Sequence, residues 1–303
     1  MIGHNEAGQG VSLNAKALIG THACIIGNTG SGKTHTIRKL LEESWGEAIH
    51  IVIDPEMEFH TLRQAQPYVI AGGPNADVPH GHPAALARSI VESGSSTIIQ
   101  FAEHQHLEAQ QAFIAAFIDG LMMLPRALWR PVFLVIDEAH RYAPQAGGAL
   151  SLRPISTLMS QGRKRGFTGI LATQRLAKLN KNASGEANTW LVGRVGQVTD
   201  MRAAANNLGF SNGSDEAAGL RTLRPGQFWG FGVALSPTPE LLTIAATKTQ
   251  HMTLGQSFKP QPIEVPAAMR STHKRGGEGT LNVVVGLCIA GALAFFCVLP
   301  KLF

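Results

Sequence analysis

Residues 23–34 read Ala23-Cys24-Ile25-Ile26-Gly27-Asn28-Thr29-Gly30-Ser31-Gly32-Lys33-Thr34. Four apolar residues run into a turn with glycine at 27, 30 and 32, and the spacing Gly-x-x-x-x-Gly-Lys-Thr is met at every fixed position. Glycine lets the backbone curl until successive N–H groups converge on one anion. The helix expected from about Lys33 to Glu43 points its positive N-terminal end at the same place. A nucleoside triphosphate, ATP, suits that cradle. Gly27, Asn28, Thr29, Gly30, Ser31 and Gly32 would wrap it, Lys33 would reach its β- and γ-phosphates, and the Thr34 hydroxyl would ligate Mg²⁺.

Outward from this loop, short apolar runs recur at residues 49–53, 97–101, 132–136, 169–173, 191–195 and 228–234, separated by helical patterns such as 107–124. Runs that are apolar throughout are buried on both faces, so a mostly parallel sheet covered by helices is expected. Ligands of such sheets bind beyond the carboxyl ends of the strands. The run 132–136 ends in Asp137-Glu138. Asp137 would hold the Mg²⁺ hydration shell, and Glu138 would act as general base towards the attacking water. The run 169–173 ends in Gln174, placed to contact the γ-phosphate or that water. The run 49–53 ends in Asp54, which at a strand end would cap the next turn.

Charge adds a second signal. The chain of 303 residues carries a formal +5, and residues 150–203 hold nine Lys/Arg against two acids, Glu186 and Asp200. A basic stretch of this kind forms a face for a polyanion. Three cysteines supply no disulfide framework, and the first residues carry no charged start and apolar run, which argues against a secreted scaffold. His80 with His82, and His104 with His106, lack the partners a metal site needs and read as loop or surface residues.

The chain divides into a polar leader (1–20), the nucleotide-binding body (21–255), a Pro- and Lys/Arg-containing linker (256–280) and a segment, 281–299, of nineteen residues without a charge. About 20 apolar residues cross a bilayer as a helix, so a transmembrane helix is expected there. Arg270, Lys274 and Arg275 precede it and Lys301 follows, which by the positive-inside rule leaves the body cytoplasmic and the protein single-pass and tail-anchored.

Taken in order, five stretches resemble the HerA/FtsK family of P-loop ATPases. They are the loop itself, Ile53-Asp54-Pro55-Glu56-Met57-Glu58-Phe59, Leu134-Val135-Ile136-Asp137-Glu138-Ala139-His140, Gln161-Gly162-Arg163-Lys164-Arg165-Gly166 leading into Ala172-Thr173-Gln174-Arg175, and residues 188–194. The resemblance implies a RecA-like (ASCE) α/β domain that moves double-stranded DNA as a homo-oligomeric ring, a hexamer in the family. It also implies that Glu58, the glutamate after the second strand, would assist at the site unless that stretch is only structural, and that an arginine is supplied across the subunit boundary. In the family that arginine lies eleven residues before the sensor glutamine, which falls on Arg163; Arg165 and Arg194 are the fallbacks. Family members usually carry a further module before the motor, whereas only 26 residues precede Gly27 here. Genome packaging by a phage fits this compact form, as does an ATPase for filamentous-phage assembly or conjugative DNA export. A nucleotide-gated membrane switch is the reading from another class, and Glu138 argues against it.

Overall fold

The computed structural model describes residues 1–250 apart from 103 and 212, residue 258, and residues 260–270. Eleven strands form one sheet: β1 (Gly3–Asn5), β2 (Gly10–Val11), β3 (His22–Ile26), β4 (Ile49–Asp54), β5 (Val69–Ala71), β6 (Thr97–Gln100), β7 (Val132–Ile136), β8 (Phe167–Thr173), β9 (Ala187–Val192), β10 (Gln227–Gly232) and β11 (Glu240–Ile244). The helices are α1 (Ala15–Leu18), α2 (Lys33–Glu43), α3 (Pro83–Ser93), α4 (Leu107–Met122), α5 (Leu152–Gln161), α6 (Lys181–Ser184), α7 (Val198–Leu208), α8 (Asp215–Gly219) and α9 (Ala267–Arg270).

Strand order is β2-β1-β11-β10-β9-β3-β8-β7-β4-β6-β5. From β9 to β5 every pairing is parallel, and the four pairings that join β2, β1, β11, β10 and β9 are antiparallel. The parallel part explains the continuous apolar runs. In β3, Cys24 and Ile26 enter the core on one face, while Ala23 and Ile25 enter the core on the other. Successive side chains of a strand point to opposite faces, so both sets must be apolar when both faces are covered. Helix α2 buries Ile37, Leu40 and Leu41 on one face, and α3, α4 and α5 bury Leu86, Ile90, Phe117, Ile118 and Ile155 on the other.

One detail of the order sets up the site. Strand β8 lies between β3 and β7, paired in parallel with both. The carboxyl ends of β3, β8 and β7 therefore open side by side, and they carry the phosphate loop, Gln174 and Asp137-Glu138. This mostly parallel α/β sheet is that of a RecA-like P-loop fold. Residues 1–20, polar in composition, supply β1, β2 and α1 and bury Ile2 and Leu18 completely.

The expectation of a transmembrane helix, and with it a tail-anchored location, is corrected. No helix among the described residues is long and apolar enough to cross a membrane. The longest, α4, has 16 residues and carries Glu108 and Asp119. At 1.5 Å per residue it reaches about 24 Å, short of the roughly 30 Å of a hydrocarbon core. The segment 281–299 lies outside the described residues.

Candidate functional site

Loop 27–32 leaves β3 and turns at once into α2, whose first residue is Lys33. The turn is too tight for side chains at its two ends. A Cβ on Gly27 would come within 2.3 Å of Ser31 Oγ, and Gly32 has φ 96° with the backbone of Gly226 close by. The Ser31 hydroxyl is buried and has no partner among the described residues. An unmet polar group inside a loop of converging N–H groups fits an anion that brings its own acceptors.

Lys33 projects from α2 to the end of β7. Its ammonium contacts Asp137 Oδ1 and lies 3.0 Å from Glu138 Oε1. Burial alone would lower the Lys33 pKa, but Asp137 and Glu138 outweigh it and hold the ammonium above its usual range. Burial likewise works against the charge on Glu138, and Lys33 with Gln174 overcomes it and holds that carboxyl below its usual range. Burial pushes Asp137 up while Lys33 opposes the shift. With Lys33 between two carboxylates, the cationic form of the lysine is the one this geometry stabilises.

Glu138 is one of two non-glycine residues with positive φ among those described, at φ 49° and ψ 41°. A left-handed conformation at such a residue is held only where its surroundings over-determine it. Three contacts do so here. Gln174 Nε2 donates to Glu138 Oε1 at 2.9 Å, Lys33 takes the same oxygen, and His140 Nδ1 lies 3.4 Å from Oε2. The Gln174 amide oxygen in turn accepts from Thr29 Oγ1 at 2.7 Å. A chain of side chains thus links the phosphate loop to the carboxylate through the end of β8.

These groups line a cavity of about 920 Å³ together with Asn28, Gly30, Gly32, Thr34, Glu56, Glu58, Arg141 and Arg175. Gly27 and Ser31 form the turn behind it. The Thr34 hydroxyl and the Asp137 carboxylate both line this cavity and are hard oxygen donors of the kind a magnesium ion takes while keeping several waters.

The structure therefore brings Lys33, Thr34, Asp137, Glu138 and Gln174 into one pocket and leaves Arg163 out of it. Arg163 sits in the 3₁₀ turn Gly162–Arg165 before β8, against Gly20 at the start of β3. It stands at the opposite end of β8 from Gln174; the seven residues of that strand span about 23 Å. Arg165 is also at that end, with its guanidinium 5.2 Å from the Trp129 ring. Arg194 lies beside the phosphate loop instead, its carbonyl accepting from Asn28 N at 2.9 Å.

Several pocket residues escaped the sequence reading. Arg141 donates to Glu56 Oε1 at 2.8 Å across the rim, and Arg175 is tied to the buried Asp200 at 3.2 Å and to Gln197 at 2.8 Å. All but Asp200 lie within five residues of a parallel strand's carboxyl end. That position was the available signal.

A strand-order and site of this kind define a P-loop nucleotide-binding domain. A family model described as the central domain of the helicase HerA matches residues 1–83. The DNA double-strand break repair helicase HerA of Pyrococcus furiosus is 31% identical over 75 residues, which is 25% of this chain and 14% of that protein's length. In fold the chain is similar to VirB4 of Thermoanaerobacter pseudethanolicus, with a TM-score of 0.61 at 13% identity, covering 82% of this chain and 96% of that one. It is also similar to the genome packaging NTPase B204 of Sulfolobus turreted icosahedral virus 2, with a TM-score of 0.52 at 15% identity, covering 75% and 98%. Over its first 83 residues the chain is thus similar to HerA, and across most of its length it has the fold of the P-loop NTPases VirB4 and B204.

Proposed function

We propose that this chain hydrolyses ATP and couples hydrolysis to the movement of double-stranded DNA, working as a homo-oligomeric ring. The observation that carries the reading is the convergence of Lys33, Thr34, Glu138 and Gln174 on one cavity at the carboxyl ends of β3, β7 and β8. Loop 27–32 and Lys33 bind the triphosphate. Lys33 then exchanges its carboxylate partners for phosphate oxygens, which frees Glu138. Glu138 takes a proton from water while the water oxygen bonds to the γ-phosphorus and the bond to the bridging oxygen breaks, leaving ADP and phosphate. Gln174 orients the water or the γ-phosphate. Thr34, with Asp137 behind it, would hold a magnesium ion, which supplies neutralising charge to the phosphates.

Arg163, remote from its own pocket, is free to serve a neighbour's, and stabilising the transferred phosphoryl group in that way is worth about 10³–10⁵ in rate in related enzymes. Residues 150–203, with nine Lys/Arg against two acids, supply positive charge for contacts to the polymer's phosphates. Genome packaging is the role we assign, supported by the fold likeness to B204. The test is DNA-stimulated hydrolysis by the purified chain. Stimulation by duplex DNA that fades with salt is expected; hydrolysis indifferent to any DNA defeats the translocase reading.

A further inference from the structure

Glu58 stands on an unusually constrained turn. Met57, immediately before it, is the second non-glycine residue with positive φ among those described, at φ 55°. The first is Glu138. A left-handed residue without a glycine's freedom costs on the order of 1–3 kcal/mol and persists where function or packing holds it.

The surroundings of Met57 do hold it. Asp54, fully buried at the end of β4, accepts from the backbone N–H of Glu58 at 2.9 Å with one oxygen and from that of Phe59 at 3.0 Å with the other. Gln100 Nε2 adds a third hydrogen bond to Asp54 at 2.8 Å. From the other side Arg38, also fully buried, donates to the Glu58 carbonyl and stacks its guanidinium 5.6 Å from the Phe59 ring. Arg38 is anchored on α2 one turn beyond Thr34, so the Glu58 turn and the nucleotide-loop helix are fixed to each other.

The outcome of this framework is one contact. The Thr34 hydroxyl donates to Glu58 Oε2 at 2.7 Å, whereas Asp137 is engaged by Lys33. A hydroxyl has a single proton and two lone pairs. With the proton committed to Glu58, both lone pairs of Thr34 Oγ1 are available to a cation, and the carboxylate adds negative charge beside it.

We propose that Glu58 is a positioning residue for the magnesium ion, acting through the Thr34 hydroxyl. The proposal rests on the reading of Thr34 as the residue that holds the metal. Partners of this kind, which orient a ligand without touching the metal, change metal affinity by about 10–100-fold when removed.

The experiment is binding of a fluorescent ADP analogue to the full chain, first in chelator and then across a magnesium titration, for the parent, Glu58→Gln, Glu58→Ala and Lys33→Ala. Expected is an affinity in chelator within about twofold of the parent for both Glu58 variants. The magnesium midpoint should rise by about tenfold or more in Glu58→Ala and less in Glu58→Gln, whose amide oxygen still accepts the proton. An unchanged midpoint in Glu58→Ala overturns the proposal. So does an equal loss of affinity with and without magnesium, which a purely structural turn would give. Should Glu58→Ala fail to fold, as judged by circular dichroism, the midpoint of Glu58→Gln decides alone: a rise supports the proposal and no change defeats it. If the parent binds no nucleotide, or Lys33→Ala binds as well as the parent, the nucleotide-site reading itself has failed.

Discussion

Gln174 Nε2 sits 2.9 Å from Glu138 Oε1, so the amide at the end of β8 holds the carboxylate at the end of β7 while its own oxygen is held by Thr29. Both residues meet because β8 is inserted beside β7 and in parallel with it. If this contact aims the general base, Gln174→Ala should lower turnover by roughly 10-fold or more while nucleotide affinity changes little. Glu138→Gln should lower turnover by about 10² or more and leave the protein loaded with ATP. Steady-state hydrolysis and analogue binding measured on the same preparations check both. A loss of affinity that matches the loss of turnover would place Gln174 in binding and not in orientation.

Removing Lys33 should have two effects. The first is loss of triphosphate affinity. The second appears without nucleotide, because Asp137 and Glu138 are left side by side and buried with no cation between them. Stranding buried charges costs about 3–5 kcal/mol. Lys33→Ala should therefore unfold at clearly lower denaturant than the parent, and the double variant Lys33→Ala/Asp137→Asn should recover part of the difference. Urea denaturation curves in the absence of nucleotide supply the measurement.

Arg163 and Lys33 lie at opposite ends of the sheet, so they can complete one site only across a subunit boundary. Arg163→Ala alone should lose about 10³-fold or more in turnover. Mixed with Lys33→Ala chains, it should regain hydrolysis, since some boundaries then pair an intact pocket with an intact arginine. Mixing that restores nothing would pass the role to Arg165 or Arg194, to be tried the same way.

Acid should destabilise the fold through its buried histidines. Burial lowers His22 and His50 from 6.5 to about 4. Above pH 6.5 both are neutral, folded or unfolded, and stability is full. Below it the unfolded chain gains protons that the folded chain refuses, so stability falls until about pH 4, by about 3 kcal/mol per histidine at most. His50 accepts or donates at both ring nitrogens, to Ser44 Oγ at 3.1 Å and Tyr68 OH at 2.7 Å, and stacks on Phe133. Its replacement by Gln should flatten the decline between pH 6.5 and 4, as read from unfolding midpoints across that range.

Much of this was legible in the residues. The loop 27–34, the strand exits at Asp137 and Gln174, and helix Lys33–Glu43 follow from local pattern, because a buried parallel strand and a phosphate-binding turn leave few choices of residue. The antiparallel extension was harder to see. Gly3–Asn5 is too short and polar to signal a strand; it becomes one because β11 offers it an edge. The contact of Thr34 with Glu58 depends on Met57 adopting positive φ, which no sequence pattern announces. Arg163 could be counted to, but its distance from the pocket follows only from the direction of β8. The apolar run 281–299 looked decisive in sequence, yet the described residues hold no membrane-length helix.

The insertion of β8 between β3 and β7 has a mechanical consequence. Its first turn carries Arg163 and its last residue leads into Gln174, so both are mounted on a single stiff rod clamped by hydrogen bonds on either side. A tug on the amide at one tip cannot be absorbed by slack in between. In a ring of the kind proposed, it would reappear as a displacement of the guanidinium at the other tip, linking one pocket to the next.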